Sequence, residues 1–198
     1  MTASKILLTA TFIAVSSLLS GQTDTVRIDS LRSRITYFNK LVAGGLVGKK
    51  DNGVSASIAM IHGVRYRKFS LGAGISFDDY GAWRTIPLYG SLSLDFISGK
   101  KGKLSIQLDA GGTKLYHVES PNEWKTIDEK GGRIVQPALG YRFKAENWSI
   151  YFLAGYRFQR IRYLETPPWW AREWGTYYKN DVTRDMERLV VQFGFGLH

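Results

Sequence analysis

Between Trp148 and Gln159, apolar and polar positions alternate with a period of two. Trp148, Ile150, Phe152, Ala154, Tyr156 and Phe158 are interleaved with Ser149, Tyr151, Leu153, Gly155, Arg157 and Gln159. Successive side chains of a strand point to opposite faces, so the segment predicts a strand with one face for hydrocarbon and one for polar groups. The pattern recurs and predicts eight strands, at 35–48, 53–64, 67–77, 84–96, 103–116, 132–143, 148–163 and 186–197. One face carries Phe69, Leu71, Ala73, Ile75 and Phe77, and further on Leu88, Gly90, Leu92, Leu94 and Phe96. The same face continues with Leu104, Ile106, Leu108 and Ala110, then Val135, Pro137, Leu139, Tyr141 and Phe143, then Leu189, Val191, Phe193, Phe195 and Leu197. The alternate positions are small or polar, such as Ser70, Gly72, Gly74 and Ser76, or Ser105, Gln107, Asp109 and Gly111. They suit the interior of a narrow barrel packed with side chains.

The connections between these strands alternate in length. Those at 65–66, 97–102 and 144–147 are tight, and those at 117–131 and 164–185 are long. Short periplasmic turns, long exterior loops and both chain ends in the periplasm are the pattern of bacterial outer-membrane barrels. Aromatic residues gather at the strand ends. Tyr66, Phe69, Phe96, Phe143 and Trp148 predict a periplasmic girdle, and Phe77, Tyr80, Trp83, Tyr116 and Tyr163 an exterior one. A soluble lipocalin-like carrier shows the same alternation with the two faces exchanged, so periodicity alone leaves that alternative open.

The amino-terminal segment favours the membrane. Lys5 precedes an apolar stretch ending at Leu19, followed by Ser20, Gly21 and Gln22, which predicts a signal peptide over 1–22. Thr9, Thr11, Ser16 and Ser17 interrupt the apolar run, which is too short for a spanning helix. Residues 23–34 are read as a periplasmic leader and 35–198 as the barrel. The chain has no cysteine, so neither a disulfide nor a lipid-modified Cys anchors it. Lys and Arg number 27 against 17 Asp and Glu. In an exported chain with its cations at turns and strand ends, this excess points to anionic lipid and lipopolysaccharide rather than nucleic acid. A mean hydropathy of −0.18 is compatible with insertion, because a barrel turns only alternate residues to lipid.

The chain resembles the small outer-membrane β-barrel proteins of the OmpA and OmpX type, and the barrels common in Bacteroidetes. The resemblance rests on Leu71, Gly72, Ala73, Gly74 and Ile75, the loop Asp78, Asp79 and Tyr80, and the strand Ile86, Pro87 and Leu88. Gly140-Tyr141-Arg142-Phe143 and Gly155-Tyr156-Arg157-Phe158 extend it. It implies an all-β fold, an eight-stranded antiparallel up-and-down transmembrane β-barrel in the outer membrane of a Gram-negative bacterium, monomeric, inserted by the barrel-assembly machinery. Many such barrels end in a Phe that this machinery reads, whereas here the order is Phe195, Gly196, Leu197, His198, with Phe195 as the candidate substitute. Architectural motifs of this kind carry no activity.

Candidate chemistry is sparse. Asp95, Asp109, Arg142 and Arg157 share inward parity and predict a lumen ionic network, either a packing device or a gate whose pairs exchange partners on opening. Lys114, Arg133, Arg160 and Arg162 have outward parity beyond the apolar band, a candidate lipopolysaccharide site. Trp169, Trp170, Trp174, Tyr177 and Tyr178 follow Pro167 and Pro168 in the last loop, a candidate surface-recognition cluster for an extracellular ligand. His117, Glu119 and Ser120 are the residue types a lipid-A-modifying enzyme uses, and form the basis of an enzymatic alternative. Three scattered histidines give no metal spacing, and no cofactor is expected. The function expected is structural or surface-interacting, without catalysis.

Overall fold

A computed structural model describes residues 35–48, 53–81, 83–99, 102–117, 126–145, 147–166 and 179–197. The predicted signal peptide, the leader and the aromatic cluster of the last loop lie outside the described residues. Eight strands follow one another: β1 (Ile35–Gly48), β2 (Val54–Tyr66), β3 (Phe69–Asp79), β4 (Trp83–Ser98), β5 (Gly102–His117), β6 (Thr126–Lys144), β7 (Trp148–Thr166) and β8 (Asn180–Leu197). Each pairs antiparallel with its sequence neighbour, and β8 returns to β1, so the sheet closes as an up-and-down barrel without an edge. Closure satisfies every ladder from within the sheet, which is the condition for strands to cross hydrocarbon.

The faces fall as the alternation predicts. Phe69, Leu71, Ile75, Leu88, Leu92, Ile106, Leu139, Val191 and Phe193 are exposed on the outside, while Ser70, Ser76, Ser91, Gln107, Asp109, Gln136 and Gln192 are buried within. A soluble carrier would have the reverse polarity, so the lipocalin-like alternative is discarded. The periplasmic girdle is present, with Tyr66, Phe69, Phe96, Phe143 and Trp148 all exposed on the outside. The exterior one differs from expectation. Only Phe77 and Tyr116 face outward, whereas Trp83 and Tyr163 are buried and pack against each other in a tilted pair, 4.5 Å between ring centroids. They pack with Leu115, Ile161 and Met186, and Tyr80 joins them, so these rings fill the exterior mouth of the barrel.

Two strands are longer at their exterior ends than the alternation predicts. β6 begins at Thr126 and β8 at Asn180, so parts of both expected long loops are strand. A strand of roughly 9–11 residues crosses the hydrocarbon. β3, with 11 residues, does little more, while β6 and β7, with 19 each, rise beyond it. There the outward face leaves hydrocarbon, so the period-two signal fades on β6, while on β7 the inward Ile161 and Tyr163 stay buried in the mouth. A bulge between Glu129 and Gly131 interrupts the β6–β7 ladder, with Gly131 at φ 87° supplying the left-handed conformation that such a bulge requires. Inside the barrel, the Tyr89 ring lies against Gly74, where an added Cβ would fall 2.5 Å from the ring. The inward glycine makes room for that side chain.

Candidate functional site

Two constellations occupy the molecule, one in the lumen and one on the outer rim. In the lumen all four predicted ionic residues are buried, but they form separate clusters instead of one network. Toward the periplasm, Arg142 on β6 donates to Asp95 on β4 at 2.8 Å, and Lys103 approaches the same carboxylate at 3.6 Å. Toward the exterior, Arg157 on β7 pairs at 2.5 Å with Asp78 on β3, a residue the sequence places in a loop. Arg157 also donates from Nε to Gln136 at 2.7 Å, and the Ser57 hydroxyl donates to Asp78 at 2.6 Å. Asp109 contacts neither arginine by an ion pair. Its oxygens accept from the Gln107 amide at 2.9 and 2.8 Å, while Gln107 Oε1 accepts from Lys40 at 2.7 Å.

The physical reason for the separation is apolar filling. Phe38, Ile61, Tyr89 and Ile134 form a buried cluster across the lumen, and Val42, Ala59 and Leu153 form another. A buried charge has to find its partner at its own level. Lys40 and Asp78 are therefore the lumen residues that sequence reasoning missed. Parity was the available signal, since Asp78 continues the inward series Ser70, Gly72, Gly74, Ser76, and Lys40 lies between inward Phe38 and Val42. Above this level, Tyr80 in the exterior turn donates to Gln159 at 2.6 Å, and Gln159 donates to Thr85 at 3.0 Å. Burial, and after it the Asp78 carboxylate, raise the Tyr80 phenol above its ordinary pKa.

On the rim, Lys114, Arg133, Arg160 and Arg162 all face outward and are exposed, as strand parity predicts. They stand just beyond the apolar belt, with Phe158 preceding Arg160 on β7 and Val135 lying next below Arg133 on β6. Arg133 and Arg160 are direct cross-strand partners. Arg160 is not a free cation, because it makes a bidentate pair with Asp185 at 2.6 and 3.0 Å. Lys114 lies 5.2 Å from the Tyr116 ring centroid. The His117 ring lies tilted against Trp83 at 4.5 Å between centroids, and the His117 backbone N–H donates to Glu129. Glu119 and Ser120, its predicted partners, lie outside the described residues. Among the described residues no group of three metal-ligating side chains converges.

An edgeless sheet, a polar lumen and an apolar belt bounded by an aromatic girdle define an outer-membrane β-barrel protein. No family model matches the chain, and no curated protein matches its sequence. Among solved structures, Neisserial surface protein A (NspA) is similar in fold, with a TM-score of 0.54 at 13% identity over 82% of this chain and 97% of that one. The translocator domain of the autotransporter NalP from Neisseria meningitidis aligns with 96% of this chain and 68% of that one, at 11% identity and a TM-score of 0.35.

Proposed function

We propose that this barrel is a closed structural and surface-interaction protein of the outer membrane, and that its rim on β5–β7 holds the anionic phosphates of lipopolysaccharide. The observation that carries this reading is Arg133 standing directly opposite Arg160 on the outer face. Like charges in register destabilise a sheet. Asp185 neutralises Arg160 alone, which leaves Arg133, Arg162 and Lys114 as an excess of cations on adjacent strands.

A cation at the bilayer midplane costs roughly 2–4 kcal/mol and little at the interface. Cations at the upper border of the belt are thus placed for headgroups. The arginine fork matches a phosphate in two parallel hydrogen bonds. The loop residues Trp169, Trp170, Trp174 and Tyr177 are assigned, on composition, to contact with an extracellular partner. Replacing Arg133, Arg160 and Arg162 together with Gln is the test. Less lipopolysaccharide should remain with the detergent-purified variant than with the parent protein, and equal retention overturns the reading.

A further inference from the structure

The periplasmic half of the lumen encloses a cavity with about 20 Å³ of room for the centre of a water-sized sphere. One water needs roughly 10–15 Å³ by that measure, so the space suits one or two waters or a single monatomic ion. Its wall is strongly biased in charge. Lys40, Arg65 and Arg142 line it, against one lining carboxylate, Asp95, which Lys103 also approaches. Asp109 stands behind Gln107 and is engaged through that amide.

Arg142 is 4% exposed and spends only Nη2 on Asp95, while its Nε and Nη1 are buried with no hydrogen-bond partner among the described residues. Arg65 donates its Nε to Ser70 at 3.0 Å and lies over the Phe38 ring, with no ion pair to a carboxylate among the described residues. A buried guanidinium with two unmet donor nitrogens is expensive. Of the serine hydroxyls lining the same cavity, Ser105 donates to the Gly140 carbonyl at 3.3 Å and Ser91 donates to Asp109, which leaves Ser93 to turn toward the space.

We propose that this cavity is a binding site for a small inorganic anion of the halide class, held by Arg142 Nε and Nη1 in the field of Lys40 and Arg65. The ion balances the cationic excess and ties β6 to β1 and β2 from within. Phosphate and organic carboxylates are too large for the space.

The test uses the full folded barrel in detergent, with bromide as the probe. At constant ionic strength, the unfolding midpoint followed by heat-modifiable gel mobility should be higher in bromide or chloride than in gluconate. Arg142→Gln, which leaves Asp95 with Lys103, should abolish that difference. Crystals of the parent protein grown in bromide should give an anomalous peak beside Arg142, a readout that does not depend on the variant folding. A midpoint indifferent to the anion, a halide effect that survives Arg142→Gln, or an ordered water without anomalous signal at that place would each overturn the proposal.

Discussion

Asp78 illustrates how a single carboxylate is used inside the barrel. It is fully buried, pairs with Arg157 and accepts from Ser57, so both oxygens are engaged in a dry setting. Asp78→Asn removes the charge and leaves the Arg157 guanidinium uncompensated. Breaking one side of a buried pair costs about 3–5 kcal/mol. The variant should therefore lose its compact gel mobility at a clearly lower temperature or urea concentration than the parent. Asp185→Asn is the contrast, because the Arg160–Asp185 pair is half exposed and screened by solvent. Its midpoint should stay with that of the parent, and equal losses in the two variants would show that burial is not what decides. The inward position of Asp78 is legible from parity alone. Its partner is not, because Arg157 lies four strands away and only the closed register brings the two together.

Strands are legible where lipid enforces alternation and illegible where it does not. Along the belt the alternation marks all eight to within a few residues, since apolar residues must face out there and small or polar ones must face in. The exterior ends of β6 and β8 carry exposed Asp128, Glu129 and Lys130, and Asp181, Thr183 and Asp185, with only Ile127 and Val182 packed on the mouth cluster, too sparse for an apolar period. Backbone ladders hold them, together with the Lys130–Asp181 pair at 3.1 Å. The β7–β8 ladder ends at Glu165 opposite Asn180, so deleting residues 167–178 removes no rung of it. A chain with a short Gly-Ser connection in their place should fold and show unchanged heat-modifiable mobility, because loop tips tolerate such changes. The surface recognition proposed for Trp169, Trp170, Trp174 and Tyr177 should be lost with the segment, as binding of the parent and the deletion variant to a panel of glycans and extracellular proteins would reveal. Failure of the deletion variant to fold would make the segment part of the barrel's own packing.

At the scale of the whole molecule, closure does not rest on one device. The expectation of a single ionic plug made from Asp95, Asp109, Arg142 and Arg157 implies that losing Arg157 opens a path. The lumen instead alternates polar and apolar fillings: the Asp95–Arg142 cluster, the Phe38, Ile61, Tyr89 and Ile134 cluster, the Asp78–Arg157 pair, and the stopper of Trp83, Leu115, Ile161, Tyr163 and Met186 at the exterior mouth. Small barrels have room for side chains and little else. Among the described residues, an ion entering from outside meets the mostly apolar stopper first, where the Tyr80 hydroxyl is already committed to Gln159, and then an apolar cluster below the charge pair. Arg157→Ala shortens one side chain and leaves both apolar layers in place. Planar-bilayer recording should therefore find no steady conductance in the parent protein and none in Arg157→Ala, although the variant is less stable. Conductance should require the stopper to be opened as well, as in Arg157→Ala combined with Trp83→Ala and Tyr163→Ala. Steady current through the Arg157→Ala protein alone would return the task of closure to the ion pair and show that the aromatic mouth does not seal.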